Sequence, residues 1–241
     1  MSDNNISVEQ HLQALGPGEL AREGFRVINV TSRAPEPFWK QLSPFFLGPV
    51  PLYDGLKAKN VENAWQYAKV YRQHMDGDTV TEAYWKWARE GWDSSYARRY
   101  PMGKGVTPEF LLWNGVRMGY LTAREQVYLP LYAQAVVRTR AFAELESMVA
   151  RQEPIALWDF DSYDLPTRNR TFIQALHDPR KKFGHGLVLY GLLTGLLDRN
   201  GRYQGPPEQE TPKPAGTRRQ ASIFGNMESE KSEAETFYEY S

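Results

Sequence analysis

Cysteine is absent from the 241 residues. That excludes disulfide cross-links, a thiolate nucleophile and thiolate metal ligands together. Histidine is scarce: His11, His74, His177 and His185 are the four present, and none stand at metal-ligand spacing, so neither a metal nor a cofactor is expected. Net charge is lacking too, because 29 Lys and Arg balance 29 Asp and Glu. Nucleic acid is therefore a possible partner through a local basic patch but not the favoured one. No apolar run approaches the roughly 20 residues needed to span a bilayer. The opening "MSDNNISVEQ" has neither the charged nor the apolar region of a signal peptide. The expectation is a cytoplasmic protein without membrane contact. Internal repeats, G-x-S-x-G, H-E-x-x-H and the kinase motif set are missing as well.

What is present is 41% hydrophobic residues, enough for a sizeable core, and 13% aromatic residues, some of them in surplus for stacking on a planar ligand. The pattern along the chain predicts a short N-terminal helix, capped by Ser7 and Gln10 and stopped at "GPG", as an extension over residues 1–24. "FRVINV" (25–30) and "IALWDFD" (155–161) read as strands, the second buried and leading into a loop. "APEPFWKQLSPFFLGPVP" holds five prolines in 18 residues and must be an aromatic-rich loop. Helices are predicted over 61–74 with Asn60 as N-cap, over "EAYWKWARE" after Thr79, from Thr107–Pro108 through "EFLLWNGVRM", from Thr122 until Pro130 kinks or breaks it, over 140–152, and over 185–199. From about residue 200 the chain turns rich in Pro, Gly, Glu and Ser, and 200–241 reads as a flexible tail whose "ASIF" and "TFYEY" are possible anchors for a protein partner.

Three segments carry candidate chemistry. In "AKNVENAWQYAKVY", Glu62, Gln66 and Lys69 share one helix stripe beside the apolar face. An acid in the first turn is favoured by the helix dipole alone. The same dipole lowers its pKa and keeps it ionised, as suits a general base or an anion facing a developing cation. "LWDFDSYD" places Asp159, Asp161 and Asp164 after a buried strand, where carboxylates are either delivered to a site or used as turn formers. "YPMGKG" offers Lys104 between glycines, and "DPRKKFGHG" puts Lys182 and His185 beside Gly184 and Gly186 at a helix start that favours an anion. Arg98 and Arg99 read as a solvated charge pair.

The order of these pieces resembles the NADAR family (NAD- and ADP-ribose-associated proteins). "LSPFFLGPVPLYDGLKAKNVENAWQYAKVY" is similar to its signature: an aromatic F-S-N-F-like loop, here Leu42, Ser43, Pro44 and Phe45, an extended segment, and a helix matched by Val61, Glu62, Asn63, Trp65 or Tyr67, Gln66 and Lys69. "MGKG", "YLPLYAQAVVRTRAFAELESMVA" and "KFGHGLVLYGLL" resemble its later elements, over roughly residues 40–195. Pro44 replaces the family's Asn, Asn63 its His, and His185 stands near its Asn, while "WDFDSYD" is the nearest match to its Asp-x-x-W-G element. The resemblance implies an N-glycosidase acting on a nucleotide, a ribosylated base or an ADP-ribose conjugate. Glu62 would stabilise the oxocarbenium charge or activate water. Gln66 with Asp159 or Asp161 would orient ribose or base, Lys69, Lys104 and Lys182 would hold phosphate, and Phe45, Trp65, Trp158 and His185 would line the ligand. The expected fold is mainly helical (α+β), a NADAR-like domain over 25–199 with a few short strands. The rival expectations are a binding module without turnover and a DNA-base modification or repair protein whose segment 168–182 (Arg168, Arg170, Arg180, Lys181, Lys182) meets phosphates.

Overall fold

The computed structural model describes residues 8–206. The strands are β1 (Leu12–Leu15), β2 (Arg26–Asn29), β3 (Val50–Pro51), β4 (Lys57–Ala58), β5 (Lys69–Val70), β6 (Met75–Asp76), β7 (Thr79–Val80), β8 (Phe110–Trp113), β9 (Val116–Met118) and β10 (Ile155–Trp158). The α-helices are α1 (Val61–Gln66), α2 (Glu82–Asp93), α3 (Tyr120–Ala123), α4 (Leu129–Val136), α5 (Arg140–Ala150), α6 (Phe172–Leu176) and α7 (His185–Leu193). The described residues are 36% helical and 16% strand, with several small sheets. This corrects the expectation of a mainly helical fold: the architecture is mixed α/β.

The central sheet is parallel, in the order β1-β10-β2. Leu12–Leu15 pair with Ile155–Trp158, which pair in turn with Arg26–Asn29. A strand covered on both faces needs continuous apolar residues. "IALW" meets that need and "LQAL" meets it except at Gln13, whose buried amide donates to Asp164 Oδ2 at 3.0 Å; Leu12, Leu15, Ile155, Ala156 and Leu157 are all buried. Helix α7 is apolar on every side and packs on β1 and β10, with α4 and α5 against it. These elements form one hydrophobic core with α1, α2 and the second sheet, β5-β8-β9.

Several predicted helices are replaced, each for a visible reason. Near the N-terminus the chain is helical only to residue 11 before entering β1, and Ser7, the expected cap, lies outside the described residues. Helix α1 ends after six residues because the backbone that follows pairs elsewhere: Leu112 N donates to Ala68 O (2.8 Å), and Glu109 N donates to Val70 O (2.8 Å). "EFLLWNGVRM" is the β8–β9 hairpin. Asn114 (φ 48°) and Gly115 (φ 76°) take the two left-handed positions of a type I′ turn, for which Asn-Gly is the preferred pair. Pro130 is accommodated by a π-helical turn at Arg124–Tyr128 that leads straight into α4. Residues 197–206 fold back on the body, with Tyr203 stacked on Phe172 at 6.0 Å; the rest of the expected tail, 207–241, lies outside the described residues. No helix among the described residues is long and apolar enough to cross a membrane.

Candidate functional site

A cleft of about 620 Å³ opens beyond the carboxyl ends of β2 and β10, the end of a parallel sheet where α/β proteins place their ligands. Thr31, Ser32 and Arg33 enter it from β2, Asp159, Phe160 and Asp161 from β10, and Glu62, Trp65 and Gln66 from α1. Its volume suits a ligand of nucleotide size.

Glu62 is 6% exposed yet lines this cleft. The chain leaves no free donors at the start of α1. Val61 N donates to Leu47 O (2.8 Å), Glu62 N to Pro44 O (3.0 Å) and Asn63 N to the Asn60 side chain (2.8 Å). With a six-residue helix and its first donors occupied, the dipole is outweighed by burial. Desolvation raises the Glu62 pKa above its ordinary value, against the opposing pull of the Gln66 amide, Arg99, Lys69 and His185. The expectation of a carboxyl held low by its helix start is thereby reversed. Gln66 Nε2 donates to Glu62 Oε1 at 2.9 Å, and Lys69 Nζ donates to Gln66 Oε1 at 2.8 Å. The Gln66 amide thus links an acid raised by burial to an ammonium that burial lowers to about 8, with Glu62 opposing that fall. Lys69 belongs to β5 rather than to a helix stripe, and its ammonium lies 5.2 Å from the Trp65 ring centre.

The anion at the start of α7 is the protein's own Asp159. Gly186 N and Ser162 Oγ donate to Asp159 Oδ2, each at 3.2 Å. A Cβ at Gly184 would stand 2.1 Å from the same oxygen, and one at Gly186 would meet Ser162 Oγ at 2.4 Å. Both glycines are thus required by the close approach of this loop, and the expected anion cradle is filled internally. His185 lies between two acceptors: Nε2 is 2.9 Å from Val30 O, and Nδ1 is 3.3 Å from Asp159 Oδ2.

Arg99 reaches across the cleft and forms an ion pair with Asp161, while Lys182 Nζ stands 3.9 Å from the other Asp161 oxygen. Burial raises the Asp161 pKa, and Arg99 opposes it. The segment carrying Arg99 is held by Asn63, which is fully buried. Its Nδ2 donates to Ser94 O and Tyr96 O (both 3.0 Å), and its Oδ1 accepts from Arg98 N at 2.9 Å. Asn63 and Pro44 therefore have structural work here: one fixes a cleft wall, and the carbonyl of the other accepts from Glu62 N.

The opposite wall is organised by Arg124, which is buried and donates to the carbonyls of Leu176 (2.6 Å) and Lys181 (2.8 Å), with Tyr120 4.5 Å from its guanidinium. The basic run expected to meet phosphates is largely matched internally. Arg168 pairs with Glu19, and Arg170 and Arg180 pair with Asp178. Within these pairs the Arg168 and Arg180 side chains remain more than half exposed.

Residues 18–170 match the model described as "Family of unknown function (DUF6939)". The chain belongs to this family. No curated protein and no solved structure matches the chain. The matched span contains Glu62, Arg99, Asp159 and Asp161, while Lys182 and His185 lie beyond it.

Of the residues singled out in the sequence, Glu62, Asp159, Asp161, Phe45, Trp65, Gln66, Lys69, Lys182 and His185 line one cleft. Lys104 and Trp158 do not. Lys104 is exposed between Gly103 and Gly105, which do line the cleft, and Trp158 packs edge-on to Phe160 behind it. Arg33, Phe160 and Tyr128 were not singled out, and Arg99, read as a solvated charge, lines the cleft as well. Tyr128 stands 5.3 Å from Trp65, and burial with the nearby Asp159 and Glu62 charges raises its pKa well above the ordinary value. Its only sequence signal is its place two residues before Pro130. Among the described residues no group of three or more His, Asp or Glu side chains is placed to hold a metal ion.

Proposed function

We propose that the cleft hydrolyses an N-glycosidic bond in a nucleotide, a ribosylated base or an ADP-ribose conjugate. The single observation that carries this reading is Glu62: a carboxyl that burial pushes up, on the floor of a nucleotide-sized cleft, joined through Gln66 to Lys69 and faced by Arg99 and His185. The NADAR resemblance of residues 42–71 supports it independently.

In this reading a ribosyl C1–N bond breaks as positive charge builds on the sugar. The ionised Glu62 faces that charge and takes a proton from the attacking water, whose oxygen bonds to C1; the base departs with the bonding electron pair and receives that proton from Glu62, which returns to the carboxylate. A carboxyl with a raised pKa suits this exchange, since it holds and releases a proton closer to neutral pH than a solvated acid does. Asp159, fixed by Ser162 and Gly186, accepts from a ribose hydroxyl. Lys69, Arg99 and Lys182 supply positive charge for phosphate.

The test is a panel of ribosylated bases, NAD and ADP-ribosylated guanosine incubated with the protein, with release of free base followed by chromatography. Release of base from at least one compound supports the proposal. Ligand-induced thermal stabilisation without any release points instead to a binding module, and neither effect with any compound removes the reading.

A further inference from the structure

Two rings stand open at the mouth of this cleft. Phe160 is 37% exposed and Tyr100 is 41% exposed, and both line it. Large aromatic rings left open at a cavity mouth are available for a planar partner. They flank a fixed crosspiece: Tyr100 follows Arg99, Phe160 precedes Asp161, and Arg99 and Asp161 are ion-paired across the cleft. Phe160 is braced from behind by Trp158, edge-on at 4.8 Å and 70°, so its ring is held in place by the end of the central strand. Cations already sit over both rings, Arg33 at 5.5 Å from the Phe160 centre and Arg99 at 5.4 Å from that of Tyr100. A ring that attracts a guanidinium plane accepts a heteroaromatic plane by the same faces. The deeper part is different in kind, with Glu62, Gln66, Lys69 and Asp159 offering charge and hydrogen bonds.

From this division we propose that the mouth is a base-recognition subsite, with Phe160 as the stacking platform and Tyr100 as the second ring. The ligand then enters with its sugar and phosphate toward the charged floor and its planar heteroaromatic group at the rim. The inference rests on the reading of the cleft as a nucleotide-type site, and it assigns base recognition to residues other than Trp65 and Trp158.

The experiment measures binding by calorimetry to AMP and to ribose 5-phosphate, which differ by the base alone, for wild type, Phe160→Ala and Phe160→Trp. The expected result is tighter binding of AMP than of ribose 5-phosphate by wild type. Phe160→Ala should lose about 5- to 150-fold in AMP affinity, the range of one base–aromatic stacking contact, and keep its affinity for ribose 5-phosphate. Phe160→Trp should retain AMP binding. The subsite is overturned if wild type does not prefer AMP, or if Phe160→Ala weakens both ligands equally or neither. Failure of the hydrolase reading looks different: the preference for AMP persists while no base is released from any ribosylated compound.

Discussion

Asn63 offers the sharpest test of how the cleft is held together. Its buried side chain makes three part-buried hydrogen bonds to the backbone of residues 94–98, two as donor and one as acceptor. At about 0.5–1.5 kcal/mol net for each bond, Asn63→Ala should cost roughly 1.5–4.5 kcal/mol. In a domain of this size that lowers the melting temperature by roughly 5–15 °C. Asn63→Asp preserves the volume but faces Ser94 O and Tyr96 O with an acceptor, so it should cost at least as much at neutral pH and recover in part when the carboxyl is protonated. The assay is thermal unfolding followed by circular dichroism at two pH values. It is paired with limited trypsin digestion, because freeing this segment exposes the bonds after Arg98 and Arg99. An unchanged melting temperature in Asn63→Ala, with no new cleavage there, would refute the idea that this side chain fixes the Arg99 wall.

Other outcomes follow from the same geometry. Because the folded-state pKa of Glu62 is raised, its contribution to stability is fully present below the unfolded pKa and is lost as pH rises through the folded value. Glu62→Gln, which keeps an acceptor for Gln66, should therefore stabilise the protein at pH 8 relative to wild type and lose that advantage at pH 4, as read from denaturant midpoints. A stability difference that does not change with pH would count against the buried carboxyl. Lys69, lowered to about 8, should acylate half-maximally near that pH when peptide masses are followed, whereas half-labelling at the pH of the solvated lysines would contradict its desolvation. Gly184→Ala, whose Cβ would stand 2.1 Å from Asp159 Oδ2, should cost about 1–3 kcal/mol in urea unfolding, and a neutral effect would mean that Asp159 is not seated there.

Local patterns were legible in the sequence where one segment decides its own structure. "IALWDFD" carries both a buried strand and the acidic loop after it. Asn60 caps α1 as its side chain suggests, and 140–152 is helical almost throughout. Glu62 and Gln66 meet because they lie four apart on a helix, but Lys69 joins them from a strand, which helical spacing alone does not foresee. What stayed hidden depends on distant partners. The pairing of β1 with β10 joins residues some 140 positions apart, so "LQAL" read as the end of a helix. Arg99 looks like a solvated charge until the Asp161 loop is brought opposite it. The direction of the Glu62 shift turns on burial, which the sequence of α1 alone does not reveal. The Asn-Gly pair at 114–115 was a local signal, and it outweighs the Thr-Pro helix start before it.

The central claim is that Glu62 exchanges the proton of an attacking water at a ribosyl C1–N bond. Its most direct measurement is a single-turnover comparison of free-base release by wild type and Glu62→Gln, on whichever ribosylated compound thermally stabilises both proteins. The account predicts a loss of rate of about 100-fold or more in Glu62→Gln with ligand stabilisation retained. Equal rates in the two proteins would contradict it.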